Sequence, residues 1–502
     1  MDGKVTGITK FGAFVALPEG RSGLVHISEI AYSYVNEVSD HLHEGQEVKV
    51  KIIGIDQANR INLSIKQVEP PPQRSPRQGG GMHQGGGMRH GGGRPQQGGA
   101  PRPMGFVRQA PKEPTDFEDR LKQFMQQSDS KLSELRYIEK KGGNRRVGPM
   151  EECPDHWEGE TLDAAQGHIV PGFVDAHCHL GMFGDALGFE GDDGNESTDP
   201  CTPHLRAIDA VNPLDRCFEE ARAAGVTTVV TGPGSANPIA GQLAALKTAG
   251  RWVDEMVLLA PAAMKLALGE NPKLTYHERH ETPTTRMATA AIIRENLRKA
   301  LEYGEKLDRA AADEEEDKPD YDAKLEALLP VVRGELPVHI HAHRADDIAT
   351  GVRIAKEFGL KCVIVHGTEA HLIPDLLEQE GIPVITGPCL GDRSKPELAN
   401  MTLESPAVLT LRGVRTAICT DHPEVPIQYL PLCAALAVKG GMNPEAALAA
   451  ITINPARIAG IDDRVGSLTP GKDADIVVMS GHPINLLSRV RAVYIEGRRV
   501  KG

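Results

Sequence analysis

The sequence predicts an α/β chain whose C-terminal two-thirds form a (β/α)₈ barrel, preceded by a small all-β barrel and a linker without fold. Three observations carry this. From Gly167 onward, short apolar runs alternate with amphipathic helical patterns. Before residue 68, short strand patterns follow one another with glycines at the bends. Between 69 and 114 the composition collapses to Gly, Pro, Gln and Arg, as in the run GGGMHQGGGMRHGGG from Gly79.

In chain order, the first region (1–68) offers strands at Lys4–Thr9, Gly12–Leu17, Gly23–His26, Glu47–Ile55 and Ile61–Lys66, enough for a small closed barrel. The second (69–114) has too few apolar side chains to offset its ordering entropy and reads as a disordered tether. The third (115–148) is an amphipathic helix and connector. Thr115 and Glu118 fit a capping box, and Phe117, Leu121, Phe124, Met125, Leu132 and Leu135 recur at helical spacing. The fourth (160–502) holds eight strand candidates: Ile169–Asp175, Val226–Thr231, Met256–Leu259, Ala262–Leu266, Pro337–His341, Lys361–Val365, Pro383–Thr386 and Thr416–Cys419. Helical patterns Pro213–Ala224, Asp346–Phe358 and Pro374–Gln379 lie between several of them. The third and fourth strands of this set leave no room for a helix between Leu259 and Ala262.

Composition bounds the function classes. No run of eighteen apolar residues exists, which excludes a spanning helix, and no signal-peptide apolar region opens the chain. Eight cysteines without CxxC pairs read as reduced thiols of a cytoplasmic protein. The net charge of −13 is uneven: residues 1–148 carry 22 basic and 16 acidic side chains, leaving the rest strongly acidic. Two different partners are expected.

The strongest chemical signal is Pro171-Gly172-Phe173-Val174-Asp175-Ala176-His177-Cys178-His179. Side chains alternate along a strand, so His177 and His179 share a side, and two imidazoles at a barrel strand's C-terminal end make half of a metal site. His341 and His343, His366, and Asp421 end later strands. Any one of these histidines alone is more often a hydrogen-bonded structural residue; five ligand-type residues on strand ends are hard to obtain that way. His339 and His343 share a face with His341, so the ligand there stays open among neighbours. Lys265, flanked by Ala262-Ala263-Met264 and Leu266-Ala267-Leu268, is hard to place as a buried ammonium. A carboxylate partner or a path to solvent is its bland alternative. Cys178, between the two histidines, points away into barrel packing, and Asp313–Asp317 reads as a solvated helix end.

The order HxH, His, His, Asp on the first, fifth, sixth and eighth strands resembles the amidohydrolase superfamily, nearer its imidazolonepropionase-related and prolidase-like members. His366-Gly367-Thr368-Glu369, Asn454-Pro455-Ala456-Arg457 and Gly466-Ser467-Leu468-Thr469-Pro470-Gly471-Lys472-Asp473-Ala474-Asp475 add to the likeness. It covers roughly 160–502 and implies a TIM barrel with a small β-sandwich. It also implies two divalent ions, zinc first. His177, His179 and Asp421 would hold one, His341 and His366 the second, and a carboxylated Lys265 would bridge them. The ions would activate a water as hydroxide to cleave a C–N bond in an amide, cyclic amide or amidine, with Asp421 as general base. His343 and His422 become weak candidates for substrate contact or for orienting Asp421. The acidic, glycine-rich stretch 184–204 is expected over the mouth.

Lys10-Phe11-Gly12-Ala13-Phe14-Val15, Gly23-Leu24-Val25-His26-Ile27-Ser28-Glu29 and Arg60-Ile61-Asn62-Leu63-Ser64 resemble the S-one-type OB domain of RNA-binding proteins. That resemblance implies single-stranded RNA as a partner, with Phe11, Phe14, His26 and Arg60 in contact. Phe14 can instead fill the barrel core. The barrel's own charge is about −1 (7 basic, 8 acidic residues), so phosphate binding would draw on the linker arginines. The partners expected overall are an amide-type small molecule, RNA and no membrane, with homo-oligomers left open.

The resemblance breaks at the sandwich. Its trailing segment is present in Asp475–Met479 and Val490–Arg498, but ahead of Ile169 only Glu160–Ala165 looks like a strand end, and the OB pattern starts abruptly at Met1. Besides the enzyme, two readings therefore stay open: an RNA-binding protein with a passive or regulatory barrel, and a fusion of two unrelated proteins.

Overall fold

The structure is a computed structural model and describes residues 2–9, 12–18, 21–26, 29–30, 38, 41–55, 61–68, 137–141, 144–148, 164, 167–184 and 188–501. The chain divides into two compact units, Met1–Arg108 and Gln109–Gly502. Among the described residues no helix is long and apolar enough to cross a membrane.

In the first unit, β1 (Asp2–Thr9), β2 (Gly12–Ala16), β3 (Ser22–His26), β4 (Glu47–Lys49), β5 (Lys51–Ile55) and β6 (Ile61–Ser64) form one sheet in the order β4-β1-β2-β3-β6-β5. The single run expected over Glu47–Ile55 bends at Val50, so its halves β4 and β5 occupy the two edges of the sheet and bring it round into a barrel. Val50 is buried, and Val5, Val15, Val25 and Leu63 join it in the interior.

The first described element of the second unit is a hairpin, β7 (Tyr137–Lys141) and β8 (Asn144–Gly148), paired antiparallel with Lys141 opposite Asn144. The hairpin falls in the connector part of the helix and connector expected over 115–148; the helical stripe itself lies outside the described residues. The Gly142-Gly143 dipeptide between the strands is the two-residue signal for such a turn. This hairpin is a sheet of its own and adds no strand to the C-terminal sheet, and of the strand end expected at 160–165 only Ala164 lies among the described residues.

The expected strand Ile169–Asp175 is two strands in two sheets. β9 (His168–Pro171) pairs with the C-terminal strands, and β10 (Phe173–Cys178) opens the barrel. Gly172 divides them: its N–H bonds to the Asp475 carbonyl at 3.0 Å, and a Cβ there would lie 2.0 Å from Thr227 Oγ1. The other barrel strands are β11 (Val226–Thr231), β12 (Ile239–Lys247), β13 (Val257–Ala267), β14 (Val338–Ala342), β15 (Cys362–His366), β16 (Val384–Thr386) and β17 (Thr416–Ile418). They pair in chain order into a nearly closed barrel, and backbone bonds from Asp421 N–H to His177 O and from His179 N–H to His422 O link its two ends.

Two expectations fail here together. Met256–Leu259 and Ala262–Leu266 are one strand, β13, irregular between Leu259 and Ala263, where its register against β12 shifts. The eighth strand is β12, whose text Ile-Ala-Gly-Gln-Leu-Ala-Ala-Leu-Lys is poor in β-branched residues and shows no alternation, since nearly all of it is buried. β12 runs antiparallel to both neighbours, because the seven residues between it and β11 are too few for a crossover helix. The remaining neighbours run parallel.

Helices cover the parallel part. α1 (Arg216–Ala224), α2 (Glu270–His277), α3 (Arg286–Ala312), α4 (Ala323–Val332), α5 (Ala345–Phe358), α6 (Pro374–Gln379), α7 (Ser405–Leu411), α8 (Leu430–Lys439), α9 (Pro444–Ala449) and α10 (Ile453–Ile458) follow in order. α1 is capped by Asp215 and stopped by Gly225 at φ +86°. α3 starts on Thr285, which accepts the Ala288 N–H, and Asp313–Asp317 beyond its end are exposed, as expected. Apolar side chains of α3, α5 and β14, such as Ile293, Leu297, Ile348 and Ile340, form one core. β18 (Ile476–Met479), β19 (Val490–Ile495) and β20 (Arg498–Lys501) form an antiparallel sheet with β9 in the order β20-β19-β18-β9. Lys247 crosses from β12 to this sheet and meets Asp475 at 2.6 Å, both buried.

Candidate metal centre and nucleic-acid face

Every expected ligand reaches the same end of the barrel. His177 and His179 lie at the end of β10, Lys265 near the end of β13, His341 on β14, His366 at the end of β15 and Asp421 just after β17. The Nε2 atoms of His177 and His179 lie 3.4 and 3.3 Å from the same oxygen, Asp421 Oδ1. Ligand atoms at Zn–N distances of ~2.0–2.1 Å on a tetrahedron stand about 3.3 Å apart. Hydrogen bonds are shorter than this, so these spacings fit two edges around a cation. His177, His366 and Asp421 form one group whose ligand atoms lie within 4.8 Å of one another, and His341, His343 and His366 form another. Imidazole contacts bind the two groups together: His366 sits 4.5 Å from His341, 4.6 Å from His343 and 5.5 Å from His177, centroid to centroid.

The outward nitrogens are fixed from behind. His179 Nδ1 donates to the Gly232 carbonyl (2.7 Å) and His366 Nδ1 to the Gly387 carbonyl (2.8 Å), which leaves each Nε2 with its lone pair. His341 Nδ1 meets Ser235 Oγ at 2.8 Å and His343 Nδ1 meets Thr368 Oγ1 at 2.7 Å. His341 Nε2 and Asp421 Oδ1 are buried and without a hydrogen-bond partner, as expected of atoms kept for another ligand. Two of the four described non-glycine residues with positive φ are His366 (+72°) and Asp421 (+54°), so the backbone holds strain at the site.

Electrostatics favour electron-pair donors. Burial, then Lys265, drives His177 well below the ordinary imidazole range; burial and the neighbouring imidazole of His366 do the same to His341 and His343. His366 falls to about 4, chiefly by burial. Burial raises Asp421, but His366, His179 and Lys265 outweigh it and hold the carboxyl below its usual range. Lys265 is fully buried, and burial brings its ammonium down to about 8 against the opposing pull of Asp421. Its Nζ lies 3.0 Å from His177 Nε2, and no described carboxylate stands within ion-pair distance. The bland alternatives for Lys265, a carboxylate partner or a path to solvent, are therefore absent among the described residues.

Other expected residues fall differently. His339 is buried below the cluster, with neither ring nitrogen hydrogen-bonded, and burial takes it down to about 3. His422 is nearly buried; its Nδ1 accepts the Ile427 N–H and its carbonyl accepts from His179. Cys178 packs in the barrel wall, as expected. In the loop over 184–204, Phe183 edges against His179 at 5.9 Å just before it, and Asn195 Oδ1 accepts the Ala236 N–H.

Sequence reasoning missed several groups. Asp175 is fully buried, with Oδ2 accepting Thr420 Oγ1 at 2.5 Å and Thr420 N–H at 3.1 Å, and Oδ1 accepting His177 N–H at 3.1 Å. It ties the first strand to the chain after the last, and burial raises it to about 7. Its position in the HxH motif text was the available signal. Glu397, 1% exposed, stands 3.6 Å from His343 Nε2 and carried no local signal at all.

In the first unit, Phe14 is 46% exposed, so it does not fill the core. With Phe14 opposite Leu24 and Gly12 opposite His26, Phe14 and His26 share one outer face of β2 and β3. Phe11 and Arg60 lie outside the described residues.

Comparison with known proteins agrees with both halves. The Amidohydrolase family matches residues 168–500, and the S1 RNA binding domain matches residues 1–66. The amidohydrolase tasK of Hapsidospora irregularis is 30% identical over 373 residues, 70% of this chain but 38% of its own, so the chain spans little more than a third of that relative. The uncharacterized protein YabR of Bacillus subtilis (strain 168) is 38% identical over 146 residues, 29% of this chain and 90% of that protein. The crystal structure of an amidohydrolase from Thermotoga maritima MSB8 is 45% identical, covers 72% of this chain and 94% of its own, and superposes with a TM-score of 0.69. A match across most of the barrel, together with near-complete coverage of a solved relative at that identity, means that the chain belongs to the amidohydrolase family and carries an S1 RNA binding domain before it.

Proposed function

We propose that this hydrolase cleaves a C–N bond of an amide, cyclic amide or amidine, using two divalent cations, zinc first. The observation that carries the reading is the pair of 3.3–3.4 Å spacings from His177 and His179 to one oxygen of Asp421. Bound cations would supply a nucleophile from water near neutral pH and polarise the scissile carbonyl. His177, His179 and Asp421 hold the first, and His341 and His366 the second. Lys265, buried within 3.0 Å of His177 and lacking an acid, would carry CO₂ as a carbamate and supply an anionic oxygen ligand. Asp421, fixed on a strained backbone at the barrel mouth, takes the proton from the attacking water and returns it to the leaving nitrogen. The S1 domain binds single-stranded RNA through Phe14 and His26, together with Phe11 and Arg60. Buried free thiols at Cys178, Cys201, Cys362, Cys419 and Cys433 suit a reducing compartment such as the cytoplasm.

The test is metal analysis of the purified chain and of Asp421→Asn, followed by turnover of N-acyl amino acids, dipeptides and cyclic amides. About two divalent ions per chain and loss of turnover by more than ~10³-fold in the variant, the general acid–base contribution being about 10²–10⁴, are expected. A chain that binds no divalent ion, or a variant that turns over normally, rejects the reading.

A further inference from the structure

The loop after β16 carries a 3-10 turn, Pro396–Leu398, that brings the Glu397 carboxylate up to His343 and His341. Its carboxylate is 1% exposed. Oε2 accepts the Glu270 N–H (3.1 Å) at the start of α2, which aims Oε1 inward. Oε1 then stands 3.6 Å from His343 Nε2 and 4.0 Å from His341 Nε2. Both separations exceed the hydrogen-bond range and approach the edges of a coordination shell. Behind each ring a hydroxyl holds Nδ1, Ser235 for His341 and Thr368 for His343, and His341 Nε2 has no partner of its own. Three imidazole nitrogens and a buried oxygen therefore converge, with Oε1 beyond hydrogen-bond distance of both His341 Nε2 and His343 Nε2.

A buried carboxylate needs a positive charge. Here Lys395 Nζ provides one at 2.7 Å, from a side chain 29% exposed that also donates to Asn271 Oδ1 at 2.9 Å. This ammonium meets Oε1, the same oxygen that faces the two imidazoles.

We propose that Glu397 and His343 are further ligands of the second cation, joining His341 and His366. The inference rests on the metal-centre reading above and deepens it. The full chain, stripped of metal, is titrated with Zn²⁺, and stoichiometry and dissociation constants are read for wild type, Glu397→Gln and His343→Asn. Wild type takes two ions; each variant keeps one at wild-type affinity and weakens the other by more than about 100-fold, since groups that merely orient ligands cost about 10–100-fold. A loss below that in either variant overturns the assignment. Wild type that binds one ion overturns it too, whereas wild type that binds none rejects the hydrolase reading itself. Should a variant fail to fold, Lys395→Met answers the same question. Zn²⁺ must raise its unfolding temperature by more than it raises that of wild type, because the cation replaces the missing ammonium, and an equal or smaller rise overturns the proposal.

Discussion

At the scale of the residue, the site is a set of lone pairs held inward by groups behind them. Lys265 illustrates the cost of that design, because a fully buried amine without an acid has little reason to persist as an ammonium. Lys265→Met should remove the proposed bridge, with metal-free protein no longer gaining turnover from added bicarbonate during zinc reconstitution, as the wild type should. Equal bicarbonate dependence in both would remove Lys265 from the chemistry. Asp175 acts one layer further back, through three hydrogen bonds across the join between β10 and Thr420. Asp175→Asn leaves some of these donors unmatched, and urea unfolding should show a loss of roughly 1–3 kcal/mol. Zinc affinity should fall by about 10–100-fold as the ligands lose their orientation.

At the scale of the element, strand ends and the turns after them set the ligand directions. Gly387, directly after β16 and at φ +128°, supplies the carbonyl that orients His366, and a Cβ there would lie 2.5 Å from the Cys419 carbonyl. Gly387→Ala must move that backbone. A shift in zinc affinity exceeding any change at the far sheet is the expected result, alongside destabilisation of about 1–3 kcal/mol from the strained φ. The small C-terminal sheet contributes through His482, which is buried against His168 and pushed down to about 4 by burial. Between pH 4 and 6.5 the unfolded chain binds the proton that folded His482 refuses, so stability rises with pH across that window and levels off above it. Thermal unfolding followed from pH 4 to 7 should show this slope, and it should be shallower in His482→Asn.

For the whole molecule, the first unit and the second carry separate hydrophobic cores, one around Val15 and Leu63 and the others around the barrel. A chain beginning at Gln109 should therefore keep its metal and its hydrolysis while losing RNA affinity. Changing Phe14 and His26 to Ala in the full chain should lower RNA binding by about 1–3 kcal/mol per stacked base and leave hydrolysis alone. Loss of hydrolysis in the shortened chain would instead tie the barrel to the unit before it.

Much of this was legible locally. The HxH pair needs only strand alternation, and Asp421 and His366 are marked because each closes an apolar run; the resemblance then orders them. Lys265 stood out because its neighbours are apolar. β12 was hidden, since a strand buried on both faces shows no alternation and this one lacks β-branched residues, and its antiparallel direction follows from a loop length that no pattern announced. Glu397, Ser235 and the Gly232 and Gly387 carbonyls were invisible for a different reason. Their partners lie 20 to more than 100 residues away in sequence, so only closure of the barrel brings them within 3–4 Å. The sequence by itself determined which strands end in ligand-type side chains, because periodicity and side-chain chemistry are local properties. Which nitrogen of each imidazole faces inward, and which carboxylate meets it there, was decided by the tertiary structure, because hydrogen bonds from distant loops fix those orientations.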